Sequence, residues 1–250
     1  TAKAVSVPDE ACTVILSKNG WIRQRSGHDA DAATLSFKDG DELLSLNKTR
    51  TVHPVVLIDS GGRAYTVTSS DIPGGRSDGV PVASLLGLPA KAKIVAMCAA
   101  EPETQYLFST SAGYGFIAVL KHLVSRQRAG KAFMNIGEKD VLLPPVEVGD
   151  STLIVALGSN GKLLAFPIGE MKVLSGGKGV IGLGVGEGER MLSAITVREG
   201  GVVKSLGQGR GGKRSEQVLN WYALQDYVQH RARKGVLTPV KFKVESVLDE

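Results

Sequence analysis

Three stretches of the sequence have the residue types that chemistry would need. Gly207-Gln208-Gly209-Arg210-Gly211-Gly212-Lys213 fits the first seven positions of a phosphate-cradling P-loop, but Arg214 stands where a Ser or Thr would ligate magnesium. Strand-like residues surround it where a helix should follow, so it reads as a flexible basic loop. An enzyme using this loop for a nucleotide would be stabilised thermally by that nucleotide, and none of this is expected. Gly182-Leu183-Gly184-Val185-Gly186-Glu187-Gly188 departs from dinucleotide-fingerprint spacing and has no βαβ pattern around it, so a mobile loop is expected. His28, His53, His122 and His230 are scattered, with no His or Cys pair at metal-ligand spacing, and no metal site is expected. Asp39, Asp41 and Glu42 cluster as turn residues do, and no Gly-x-Ser-x-Gly elbow occurs. Trp21 and Trp221 read as core residues. No catalytic residue and no cofactor is assigned.

The basic residues are more informative. The chain of 250 residues carries 30 Lys and Arg against 25 Asp and Glu, a net +5 that permits a polyanionic partner without demanding one. Aromatic residues make up 5%, which argues against stacking of many unpaired bases and favours a duplex over a single strand. Five short segments, 23–28, 74–79, 125–131, 176–179 and 230–235, hold ten cations and one acid, Asp78. That is about three times the chain-wide density of Lys and Arg. The cations are Arg23, Arg25, Arg76, Arg126, Arg128, Lys131, Lys178, Arg231, Arg233 and Lys234. Glycines in the same segments let backbone approach a phosphate that Arg and Lys would neutralise with release of counterions. These ten are the candidate DNA-binding residues.

What must position them is a repeat. Apolar run, Gly-containing turn and second apolar run recur at 13–22, 54–65, 106–116, 153–164 and 192–203. Each reads as a β-hairpin, because Asn-Gly, Ser-Gly-Gly and Glu-Gly-Gly tolerate the positive φ of tight turns. The turn glycines at 20, 62, 113, 161 and 201 are spaced by 42, 51, 48 and 40, the period of blades in a radially repeated all-β protein. A second glycine, at Gly79, Gly130 and Gly179, leads into a third strand, and a fourth is expected at 93–98 and 141–148. Equivalent loops would then carry their cations as a belt. One helical window, 216–227, lies in the last repeat. The expectation is a single all-β domain over 1–250, with repeats at roughly 11–50, 51–100, 101–148, 149–188 and 189–250.

Cys12 and Cys98 are too few for a disulfide framework, no apolar run approaches the roughly 20 residues of a membrane helix, and no signal segment opens the chain, so a soluble protein of a reducing compartment is expected.

Ile15-Leu16-Ser17-Lys18-Asn19-Gly20-Trp21-Ile22-Arg23, Ser26-Gly27-His28-Asp29, Pro54 to Ser60, Ser111-Ala112-Gly113-Tyr114-Gly115-Phe116 and Arg126-Gln127-Arg128-Ala129-Gly130-Lys131-Ala132, together with the repeat, resemble the C-terminal domain of ParC, the DNA-cleaving subunit of bacterial DNA topoisomerase IV, with the corresponding gyrase domain as the close relative. The resemblance covers essentially the whole chain. It implies a β-pinwheel, a propeller-like disc of about five four-stranded blades with strands exchanged between neighbours, in an open C-shaped ring. It also implies a non-catalytic module of an ATP-dependent type IIA DNA topoisomerase, an isomerase whose catalytic residues lie elsewhere. Such a module binds and bends double-stranded DNA and presents a crossing segment for decatenation and relaxation in chromosome segregation. The implied partners are double-stranded DNA, the breakage-reunion core of the same subunit and the separate ATPase subunit, with no membrane; the implied location is the bacterial cytoplasm at the chromosome. Gyrase carries a box of the type Gln-Arg-Arg-Gly-Gly-Lys-Gly. The nearest matches, at 24–27 and 127–132, lack parts of it, which implies weak chiral wrapping. The competing class is a propeller-like module that binds an acidic protein.

Overall fold

The computed structural model describes residues 6–240 and 242–249. Taken repeat by repeat, the strands are β1 (Ala11–Ser17), β2 (Trp21–Ser26) and β3 (Leu43–Arg50); β4 (Val55–Asp59), β5 (Arg63–Val67), β6 (Val80–Pro81) and β7 (Ile94–Ala99); β8 (Gln105–Ser109), β9 (Tyr114–Val119), β10 (Lys131–Ala132) and β11 (Val146–Glu147). The fourth repeat gives β12 (Ser151–Gly158), β13 (Lys162–Pro167), β14 (Val180–Ile181) and β15 (Met191–Arg198), and the fifth β16 (Val203–Gln208), β17 (Arg214–Leu219), β18 (Val236–Leu237) and β19 (Lys243–Asp249). The α-helix α1 covers Trp221–Gln225, capped by the Asn220 side chain. None of the described helices is long and apolar enough to cross a membrane.

Five antiparallel sheets result, in the orders β3-β1-β2-β6, β10-β5-β4-β7, β11-β8-β9-β14, β15-β12-β13-β18 and β17-β16-β19. The short third strand of each repeat from the second onward joins the sheet of the repeat before it. It pairs with the start of that sheet's second hairpin strand: Ile22 opposite Val80, Ala64 opposite Lys131, Gly115 opposite Val180 and Leu163 opposite Val236.

Two expectations are corrected. The run 192–203 is not a hairpin: β15 closes the fourth sheet against β12, whereas β16 opens the fifth, so the turn at Glu199-Gly200-Gly201 links two sheets. The fifth hairpin is β16–β17, and its turn is the glycine-rich stretch that resembled part of a P-loop. The helical window at 216–227 is strand up to Leu219, because residues 214–219 alternate outward and inward along β17, and only Trp221–Gln225 is α-helical.

The contacts gather the chain into two compact units, one running to Thr104 with Val119–Met134, the other comprising Gln105–Ala118 and the chain from Asn135. The first holds sheets one and two, packed through Val14, Leu16, Val55, Leu57, Tyr65 and Met97. In the second, β12 shows why hairpin strands read as unbroken apolar runs. Leu153, Val155 and Leu157 face a core shared with Val203, Leu219 and Val247 of the fifth sheet. Ile154 and Ala156 face the opposite way, into a core with Leu107 and Ile117 of the third. A strand covered on both faces has no polar side to alternate with.

Candidate nucleic-acid interface

The segments leading into the exchanged strands hold most of the ten candidate cations. Each loop must deliver its strand against a neighbouring hairpin, and a glycine stands at that point: Gly79, Gly130, Gly179 and Gly235, with φ of 90°, 67°, 82° and 78°. A Cβ there would lie 2.1 to 2.5 Å from the carbonyl oxygen of Ile22, Ala64, Gly115 or Leu163. No side chain fits such an approach, so glycine fixes the loop's end and leaves the residues before it exposed.

In the first unit, Arg76 is exposed on the turn before Gly79. Arg126 and Arg128 are exposed on the loop before Gly130, where Arg128 Nη2 donates to the Ser84 carbonyl at 3.0 Å. Lys131 is half-buried on β10, opposite Ala64. The loop is also braced from below, by a residue absent from the sequence-derived set. Arg63 donates from Nε to Ala129 O at 2.6 Å and from Nη2 to Gly130 O at 3.0 Å. Its signal was positional, since it follows the hairpin glycine directly. Beneath the same loop, the buried Tyr65 hydroxyl donates to Asp59 at 2.7 Å. Burial and then the Asp59 carboxylate push the Tyr65 phenol up to about 12.

In the second unit, Lys178 is exposed with Nζ 4.2 Å from the centre of the Tyr114 ring. Arg233 and Lys234 are exposed, and Arg231 is half-buried, donating from Nη1 to Ile181 O at 2.7 Å. Glu170 ties this loop down by accepting from the Arg231 amide at 3.0 Å, with His230 Nδ1 at 3.3 Å. The Arg231 amide, with the His230 ring and the Arg231 charge beside it, holds its carboxyl below the usual carboxylate range.

The segment at 23–28 behaves differently. Arg23 and Arg25 lie on β2 itself, not on a loop before an exchanged strand. Arg23 is 3% exposed and donates to Ser36 O at 2.6 Å and Ser77 O at 3.4 Å, with its guanidinium 5.0 Å from the Phe37 ring centre. Burial, reinforced by the Arg25 charge, holds its pKa below the ordinary arginine value against the opposing effect of Asp78 at 4.0 Å. Arg23 is an internal strut and leaves the candidate set. Arg25 is half-buried, its Nε without a partner.

The arrangement therefore presents cations on glycine-anchored loops, and the described residues contain no cluster of three or more His, Cys, Asp or Glu that could hold a metal ion. The stretch 207–214 is strand, turn, strand, which removes the P-loop reading. Cys12 and Cys98 are both buried.

Comparison with known proteins places these features. No family model matches the chain. It is 40% identical over 243 residues to the ParC subunit of DNA topoisomerase 4 from Neisseria gonorrhoeae, covering 93% of this chain and 31% of that protein. Its fold superimposes on the Escherichia coli ParC C-terminal domain with a TM-score of 0.83 at 29% identity, covering 96% of this chain and 99% of the other. The chain belongs to the family of topoisomerase IV ParC C-terminal domains. It spans about a third of the length of the curated relative above, and it is all-β with the β-pinwheel strand exchange of that family. The gyrase A C-terminal domain shares the fold, with a TM-score of 0.66 at 16% identity over 96% of this chain and 83% of the other.

Proposed function

We propose that this topoisomerase IV C-terminal domain is a non-catalytic binder of duplex DNA. It bends the duplex along its basic loops and presents a crossing segment for decatenation and relaxation. The observation that carries the reading is the recurrence of exposed cations on four glycine-anchored loops, each at the same place in its repeat. Phosphates are the chemistry that Arg and Lys on close-approaching backbone would neutralise, and such contacts are indifferent to base sequence. Specificity then rests on the bend and crossing geometry of the DNA. The loop at 127–132 lacks the full gyrase-type box, which fits modest rather than strongly chiral wrapping. In the longer protein the domain serves a breakage-reunion core and an ATPase subunit at the chromosome in the cytoplasm; by itself it works without cofactor or metal.

The test is a titration of the chain with a fluorescent duplex of about 40 base pairs at several salt concentrations. Binding with Kd on the order of 10⁻⁴ to 10⁻⁶ M is expected, the log of the affinity falling linearly with log salt. Replacing Arg76, Arg126 and Arg128 with Ala should lower the slope by about 2.7, at roughly 0.9 per phosphate contact. An unchanged slope would sink the loop reading in favour of an acidic protein partner.

A further inference from the structure

The fifth hairpin differs from the other four at its turn. In the first four, the turn-glycine carbonyl accepts a hydrogen bond from the exchanged segment of the next repeat: Gly20 O from Val82 N at 2.8 Å, Gly62 O from Met134 N at 2.8 Å, Gly113 O from Gly182 N at 2.7 Å and Gly161 O from Thr238 N at 3.2 Å. These turns also display no unpaired cation. Lys18 is held by Glu42 at 2.6 Å, and the other three turns read Ser60-Gly61, Ser111-Ala112 and Ser159-Asn160.

The fifth turn runs from Gly209 to Lys213, closed by Gly209 N donating to Lys213 O at 2.8 Å, with Gly211 and Gly212 at φ of 70° and 75°. Among the described residues no strand joins the outer edge of β17, and the fifth sheet has three strands. A Cβ at Gly211 or Gly212 would meet nothing within 4 Å. Arg210 and Lys213 are exposed, with no carboxylate in salt-bridge reach among the described residues, and Arg214 pairs with Glu245 at 3.2 Å. Where Leu16 and Leu157, just before the bulge in their strands, face the buried Ile22 and Leu163, Leu206 at the corresponding bulge of β16 faces the exposed Glu216. A charged residue there suits an edge that stays open to water and discourages another strand from adding to it.

We propose that this uncovered turn, with Arg210 and Lys213 as its contacts, is a further binding site for the phosphodiester backbone of duplex DNA. It is separate from the exchanged-strand loops. The proposal rests on the DNA-binding reading above and extends it to the one hairpin of the five with no exchanged strand in place among the described residues. The two glycines lower the steric barrier to close approach, and the guanidinium and ammonium supply the donors that phosphate oxygens accept.

The test compares R210A/K213A with R126A/R128A in the 250-residue chain, using the same fluorescent duplex across a salt series. R210A/K213A should weaken binding several-fold and lower the salt slope by about 2, and combining the two pairs should lower it by about 4. R210K/K213R should bind as the parent does, which separates charge from any effect on folding. If R210A/K213A binds with the parent's affinity and slope while R126A/R128A is weakened, the inference is overturned and the loop reading stands. If the parent chain does not bind the duplex, both fall together. Loss of binding to a poly-glutamate peptide with DNA affinity intact would assign the turn to an acidic protein and also overturn the inference.

Discussion

Residues 23–27 and 126–131 share the pattern of Gln-Arg followed two residues later by Gly, yet they sit in opposite environments. On β2, Gln24 anchors the chain at 69–72, donating from Nε2 to Ser69 O and Ile72 O at 2.7 Å, while Arg23 is sealed beside Phe37. On the loop before β10, Arg126 and Arg128 stand in solvent. The difference lies in the chain just after each motif. Gly130 leads into a strand captured by the preceding sheet, and this holds the loop out; an added Cβ at Gly27 would meet nothing within 4 Å, and β2 has already paired along its length. Of these two Gln-Arg motifs, the one that an exchanged strand lifts off its own sheet is the one left on the surface.

The contrast is tested most severely at Arg23. Replacing it with Met removes the buried guanidinium together with its hydrogen bonds to Ser36 O and Ser77 O. It should destabilise the chain by about 2–4 kcal/mol in urea unfolding, with the salt slope of DNA binding unchanged in the folded fraction. The matching Arg128→Met should stay within about 0.5 kcal/mol of the parent. Next comes Gly130→Ala, which must hold φ near 67° with its Cβ 2.3 Å from Ala64 O, and should cost about 1–3 kcal/mol. Gly75→Ala, also at positive φ but with free space around it, should cost about 1 kcal/mol. The smallest effect tests the floor of the Gly130 loop. The Tyr65 phenol is raised to about 12, so its neutral form is favoured in the fold. Its contribution is complete below the unfolded value near 10 and fades as pH rises toward 12. Ultraviolet titration should show one tyrosine ionising last, and Tyr65→Phe should flatten that part of the stability profile.

Much of the architecture was legible because turn chemistry is local. Asn19-Gly20, Gly61-Gly62, Gly113 and Asn160-Gly161 announced four hairpins correctly. Glu199-Gly200-Gly201 has the same chemistry but joins two sheets, because the partner of β15 is β12, some 40 residues earlier in the chain, and no turn residue encodes that pairing. The true fifth turn was hidden by its own composition, since glycines beside Arg and Lys suggest a phosphate loop before they suggest a hairpin. The basic loops were legible as an enrichment that repeats in register. The burial of Arg23 was not, because Ser36 and Ser77 reach it from 13 and 54 residues away. Arg63 and Glu170 were missed for a related reason: each braces a loop more than 60 residues further along the sequence.

The exchanged strands also impose a timetable on synthesis. Sheet one cannot be completed until Pro81 has been made, sheet two waits for Ala132, sheet three for Ile181 and sheet four for Leu237. On a ribosome adding about 5–20 residues per second, each sheet gains its last strand only once much of the following repeat has been translated. During that interval the second hairpin strand presents an unpaired edge, so the nascent chain always carries one incomplete sheet at its growing end.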